Sequence, residues 1–192
     1  MPFGNALFLD INEFARNTPW LHSAAHLYAT YGVALFGVLW LIVWWRARSA
    51  GPRLMAAVLL TPVATVLAFA LQQLVVLAVH EPRPYAVHPG ILVLVGRTTD
   101  SSFPSDHACV SAAMAIGLLL THRMIGSLAV VAALVMAVTR VYVGAHWPGD
   151  VVAGLALGGV VAWVTLRALR APATRVVEWL MSGPLRPLAT SR

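Results

Sequence analysis

Long apolar runs alternate with short polar breaks along the chain. Leu27 to Trp45 contains no charged side chain and closes on Trp44, Trp45 and Arg46, which predicts a membrane-spanning helix with an aromatic and basic end. A second run, from about Leu54 to Val79, carries Pro62, where a kink is expected, and Gln72 with Gln73 near its far end. Polar groups at that depth are expected to face other helices or a wet cavity. Three shorter runs follow, from Ser105 to Thr121, Met124 to Thr139 and Pro148 to Leu166. Their glycines and alanines predict close helix packing, with ends that reach a polar cavity. Ahead of all these, Leu7, Phe8, Ile11 and Phe14 recur at helical spacing around Asp10, Asn12 and Glu13, the pattern of a short helix lying in the interface. The expected fold class is therefore all-α, a polytopic membrane bundle of about five spans plus an N-terminal interfacial amphipathic helix.

Composition agrees with this pattern. Of 192 residues, 59% are hydrophobic and only 10% charged, whereas a soluble domain carries about a quarter charged residues. Short connections leave room for one domain over residues 1–192, with 1–24 as an interfacial segment and 171–192 as a cytoplasmic tail. No basic segment followed by a short apolar run and a cleavage site opens the chain, so the first span is expected to do the targeting. The lone Cys109 reads as a small packing residue.

All thirteen basic residues are arginine. They are scattered between apolar spans rather than gathered on a soluble face, which argues against nucleic acid and for cytoplasmic loops. Arg46, Arg48 and Arg53, then Arg123, then Arg167, Arg170, Arg175, Arg186 and Arg192 mark that side. The long loop from His80 to Pro104 and the short one from Arg140 to Gly149 then face outward.

Those outward loops hold the polar clusters. His80-Glu81-Pro82-Arg83-Pro84, Phe103-Pro104-Ser105-Asp106-His107 and Thr139-Arg140 with His146 and Asp150 interrupt otherwise apolar sequence. Singly, each arginine reads as a topology signal and each histidine as a solvated group; together they are the parts of covalent phosphoryl transfer. Arg83 and Arg140 offer forked donors to phosphate oxygens. Ser105 is placed to cap the next helix, whose first amides point at an anion. Asp150, four residues after His146, can turn back to hold one ring nitrogen, freeing the other for attack on phosphorus. His107 is left as the acid that protonates the leaving oxygen and then activates water. No metal or other cofactor is called for, since arginine supplies the positive charge.

At these positions the chain resembles the type-two phosphatidic acid phosphatase superfamily, whose pattern is K-x6-R-P, P-S-G-H and S-R-x5-H-x3-D. The motifs stand here as Arg83-Pro84, as Pro104-Ser105-Asp106-His107, and as Thr139-Arg140 with His146 and Asp150. The resemblance implies that His146, His107 and Asp150 are catalytic and that Arg83, Pro84, Ser105, Asp106 and Arg140 meet the substrate. The family lysine falls at Val76, and His80 or Gln72 is expected to substitute for it. Asp106 stands where the wider family has glycine. With Glu-Pro-Arg-Pro, Ser-Phe-Pro-Ser-Asp-His and Val-Gly-Ala-His-Trp-Pro-Gly-Asp-Val, it is similar to the bacterial undecaprenyl diphosphate phosphatase branch associated with bacitracin resistance.

Three roles for Asp106 stay open at this point: orienting His107, selecting a diphosphate, or simply favouring the helix dipole. The resemblance implies an isoprenoid lipid diphosphate as substrate, surrounding membrane lipids as partners, and the bacterial cytoplasmic membrane as location, with the site facing the periplasm or cell exterior. Phosphatases of other lipid phosphates and a non-catalytic phosphate-binding membrane protein or transporter are the alternatives. Glu81, His88, Arg97 and Asp100 share the outer loop as head-group contacts or as solvated residues.

Overall fold

The computed structural model describes residues 4–182, and every regular element among them is helical. In chain order these are α1 (Asn5–Arg16), a turn of 3-10 helix (Pro19–Leu21), α2 (His22–Tyr31), α3 (Val33–Ala47), α4 (Pro52–Ala78), the single turn α5 (Pro84–Val87), α6 (Asp106–Thr121), α7 (Arg123–Tyr142) and α8 (Pro148–Met181). Residues 1–3 and 183–192, the outer parts of the segments 1–24 and 171–192, lie outside the described residues. The described part of 171–192 continues α8 to Met181.

By length and composition α4, α7 and α8 can each cross a membrane. The first span differs from expectation: the helix breaks at Gly32, and its two halves meet at 58°. A Cβ on Gly32 would lie 2.4 Å from the Tyr28 carbonyl oxygen and 2.7 Å from the terminal methyl of Met136 on α7, so the bend has no room for a side chain. The break lets Tyr28 donate its hydroxyl to the carbonyl of Ala132 on α7, while α3 turns toward α4 and α6. Counted as one span, the bent pair gives four, and α6, at 16 residues, is a fifth apolar helix about 24 Å long by its rise. That is short of a hydrocarbon core of about 30 Å. It serves because α6 sits at the centre, walled by α4, α7 and α8.

Small residues make this centre possible. Ala108, Cys109, Ala112, Ala113 and Gly117 of α6 are buried, and Cys109 is a free thiol. In lipid no hydrophobic force drives helices together, so backbones must approach closely enough for dispersion contacts to hold them. A Cβ on Gly158 of α8 would sit 2.0 Å from the Cys109 carbonyl oxygen, and one on Gly154 would sit 2.5 Å from that of Ser105. The outer surface is the inverse, with Val66, Val131, Val152, Val160 and Trp163 exposed.

Pro62 stands inside α4 without ending it. Lacking an N–H, it leaves the carbonyl of Val58 unpaired in a setting without water. The indole Nε1 of Trp40 on α3 donates to that oxygen at 2.9 Å. A proline flaw in one span thus fixes the position of its neighbour.

α1 does more than lie in the interface. Its Asn12, read from sequence as part of the polar face, is buried; its amide donates to the carbonyl of Leu92 at 2.8 Å and accepts the Leu92 N–H at 3.0 Å. Arg16 donates to the carbonyl of Gly90, and His88 pairs with Asn5. Phe8 meets the ring of Trp147 edge-on at 5.0 Å. The helix therefore ties down the long loop between α4 and α6.

Gly158→Ala is expected to destabilise the bundle by about 1–3 kcal/mol, as overpacking does, whereas Gly159→Ala, whose Cβ meets only Ile116 at 3.6 Å, stays near wild type. Thermal unfolding of the two variants in the same detergent checks the contrast.

Candidate functional site

Four helix ends meet at one side of the bundle: the C-terminal ends of α4 and α7 and the N-terminal ends of α6 and α8. Each carries polar residues predicted from sequence. Arg83 immediately precedes α5, with Pro84 fixing the first position of that turn. Ser105 caps α6, its Oγ accepting the Ala108 N–H at 3.5 Å and its own N–H donating to the Asp150 carbonyl at 3.1 Å. Arg140 lies in the last turn of α7. Gly144, at φ 79°, then turns the chain so that His146 points inward ahead of α8.

His146 is the centre of the arrangement and is only 1% exposed. Nη1 of Arg83 stands 3.4 Å from its Nε2 and Nη2 of Arg140 stands 3.3 Å from the same atom. The opposite nitrogen, Nδ1, lies 2.9 Å from the carbonyl of Ser102 and 3.5 Å from Oδ2 of Asp150. Since a carbonyl only accepts, Nδ1 carries the hydrogen and Nε2 keeps its lone pair. Asp150 is itself held in the interior: its Oδ2 accepts the Trp147 N–H at 2.8 Å and the Ser102 hydroxyl. From sequence, Asp150 was expected to hold one ring nitrogen, and Ser102 had no part. Ser102 supplies the nearer acceptor by its carbonyl and steadies Asp150 by its hydroxyl, a double role that no motif signals.

Burial is the largest cause that holds the His146 imidazole below its ordinary value of 6.5; Arg140 and Arg83 add to it, while Asp150 and Asp106 oppose. The ring is thereby kept neutral. Arg83 is steadied from behind, its Nη2 donating to Oδ2 of Asp100 at 3.0 Å and its Nε to the Asp100 carbonyl at 3.3 Å. With the Asp100 side chain 59% exposed, such a pair is worth about 0–1 kcal/mol and orients more than it stabilises. The Asp100 carboxyl is raised by burial, but a Thr98 hydrogen bond and Arg83 more than offset this and leave it below the usual carboxylate range. Arg140 donates Nη1 to the Ala29 carbonyl at 3.3 Å, and its buried Nε has no hydrogen-bond partner.

Other expected groups are placed differently. His107 lies one step into α6, its Nδ1 2.8 Å from Oδ1 of Asp106. Gln72 is spent on structure, donating to the Pro104 carbonyl at 2.8 Å. His80 lines a cavity of about 380 Å³ together with Glu81, Arg83, Tyr85 and Asp100. A second cavity of about 210 Å³ opens on the other flank, between Val33, Phe69, Asp106, His107 and Val110. Within the outer loop, Arg97 lies over the Tyr85 ring at 5.5 Å and His88 meets Trp147 edge-on.

The chain is similar to known proteins. The family description that matches is the PAP2 superfamily, over residues 58–172. The sequence is 33% identical over 154 residues to the putative undecaprenyl-diphosphatase YbjG of Escherichia coli (strain K12), covering 80% of this chain and 76% of that protein. It is 26% identical over 161 residues to the undecaprenyl-diphosphatase BcrC of Bacillus subtilis (strain 168), covering 84% and 81%. Among solved structures, that of Aquifex aeolicus LpxE matches at a TM-score of 0.61 and 25% identity, covering 87% of this chain and 96% of that one.

The depressed His146 value has a stability consequence with a definite sign. A histidine held neutral in the native state contributes stability above its unfolded value of about 6.5, and that contribution fades as pH falls through the native value. Nitrogen-15 NMR of ring-labelled protein is expected to show His146 neutral at pH 6.5 and below, and Arg140→Ala is expected to move its titration upward.

Proposed function

The chain belongs to the PAP2 superfamily, and we propose that it hydrolyses undecaprenyl diphosphate to undecaprenyl phosphate through a phosphohistidine, returning the carrier lipid to cell-wall synthesis. It is a multi-pass membrane lipid phosphatase of the undecaprenyl diphosphate phosphatase branch. The observation that carries the proposed mechanism is the convergence of Arg83 and Arg140 on Nε2 of the buried His146. Two guanidinium donors share one lone pair there. A tetrahedral phosphoryl group, with lone pairs to spare, satisfies both forks and places phosphorus against the imidazole.

In the first step Nε2 of His146 forms a bond to the terminal phosphorus while the bond to the bridging oxygen breaks. His107 gives that oxygen a proton, and the lipid monophosphate departs. Water then attacks phosphorus, its proton passes to His107, the P–N bond breaks and inorganic phosphate is freed. Arg83 and Arg140 balance the charge spread over the equatorial oxygens, with the Ser105 helix start behind them. Asp150 and the Ser102 carbonyl hold the nucleophile's ring in place throughout.

The two cavities suit a lipid diphosphate. The larger one holds His80 and Glu81 beside Arg83, which supports His80 as the substitute for the family lysine and this cavity as the exit for phosphate. The smaller one is lined by Val33, Phe69 and Val110 beside Asp106 and His107, side chains that suit the first units of an isoprenoid tail next to the leaving oxygen. The arginine-bearing connection at residues 48–51 and the α6–α7 junction at His122 and Arg123 lie at the opposite helix ends, and the positive-inside rule then supports a site on the outer face of the bacterial cytoplasmic membrane. The single domain includes α1, which braces the loop over the site.

Purified protein is expected to release phosphate from undecaprenyl diphosphate, with chelator present, in preference to phosphatidylglycerol phosphate, phosphatidate and lipid A phosphate. Arg83→Ala and Arg140→Ala should each lower kcat by about 10²–10³-fold, as loss of one charge-stabilising donor does, and His146→Ala should abolish turnover and labelling by acid-labile phosphate. A preference for glycerolipid monophosphates would reject the substrate assignment, and turnover surviving in His146→Ala would reject the covalent route.

A further inference from the structure

The Asp106 carboxylate stands at the site and takes no part in the steps of hydrolysis. Asp106 opens α6 with its side chain half-exposed, and its Oδ1 accepts the backbone N–H of His107 at 2.7 Å and the ring Nδ1–H of His107 at 2.8 Å. The same oxygen stands 4.0 Å from Nε2 of His146. One carboxylate oxygen thus grips one imidazole and borders the other.

A helix-start acid needs none of this. Capping of α6 is already done by Ser105, whose Oγ accepts the Ala108 N–H and whose carbonyl accepts the Cys109 N–H. The contact to the His107 ring is additional to any cap. Nε2 of His107 forms no hydrogen bond among the described residues, so it is the ring's one uncommitted nitrogen.

We propose that Asp106 is a positioning residue for His107: by holding Nδ1–H it reserves Nε2 as the atom that gives and takes the proton in both half-reactions. The proposal rests on the phosphohistidine reading. In the first half, the proton on Nε2 passes to the leaving oxygen as the P–O bond breaks and the P–N bond to His146 forms. In the second, a proton from the attacking water returns to the same Nε2 as the P–N bond breaks. Nδ1 keeps its proton on Asp106 in both. Without the carboxylate the neutral ring divides between two tautomers, and only one of them offers a lone pair to water.

Dependence on the leaving group separates this role from a structural one. p-Nitrophenolate departs without a proton, whereas phenolate needs one, so a defect in the acid shows on the second and spares the first. Purified full-length chain is assayed for kcat/KM on p-nitrophenyl phosphate and phenyl phosphate as wild type, Asp106→Ala, Asp106→Asn and His107→Ala. His107→Ala is expected to lose far more on phenyl phosphate. Asp106→Ala follows in the same sense, with a loss of about tenfold on phenyl phosphate and about twofold or less on p-nitrophenyl phosphate. Asp106→Asn, which keeps an acceptor oxygen, lies between it and wild type and stands in if the alanine variant does not fold. Nitrogen-15 NMR of the His107 ring should show one tautomer in wild type and a mixture in Asp106→Ala. If His107→Ala discriminates between the esters and neither Asp106 variant does, Asp106 is a helix-start acid and the proposal fails while the phosphohistidine reading stands. If His107→Ala does not discriminate, the acid assignment falls and the proposal falls with it.

Discussion

Two positive charges aimed at one neutral nitrogen impose most of what surrounds them. Guanidinium groups resist burial, and two pointing at the same atom repel each other. Their positions here are held by groups from separate parts of the chain: Asp100 and the Ala145 carbonyl on Arg83, the Ala29 carbonyl on Arg140. Each tether comes from backbone that must itself be fixed. The Asn12–Leu92 pairing, the Trp147 indole on the Pro82 carbonyl and the Gln72 amide on Pro104 fix it. Polar residues that look idle in the site thus hold its geometry from one remove.

That division explains what could be read in advance. Charged residues at the ends of apolar runs have few uses, so Arg83, Arg140, His107, His146 and Asp150 were legible as one constellation, and the structure gathers them at one end of the bundle. Two helix starts were legible for a similar reason: Ser105 and Pro148 punctuate the chain chemically. Ser102 and Asn12 were not legible. Their work is done through a carbonyl, a hydroxyl turned on a carboxylate, and an amide paired with a distant backbone, and only tertiary structure decides such partners.

Helix stops were read less well, and for two separate reasons. The last span was expected to close at Leu166 because arginines follow, yet α8 runs on to Met181; arginine is a good helix former, and charge marks the end of lipid without marking the end of a helix. The first span looked continuous because its apolar run is continuous. It bends at Gly32, where a side chain would meet the Tyr28 carbonyl and the Met136 methyl of α7, and hydropathy alone does not record that.

The alternation of helix ends at the site has a consequence for how such a chain can change. Contributions come from the far end of α4, the near end of α6, the far end of α7 and the near end of α8, an order that works only because each successive long helix runs back the other way. Gaining or losing one crossing anywhere between α4 and α8 would strand half of the constellation on the opposite leaflet. Variation is therefore channelled into the connecting loops and the outer helix faces, while the parity of the crossings is held constant by the chemistry itself.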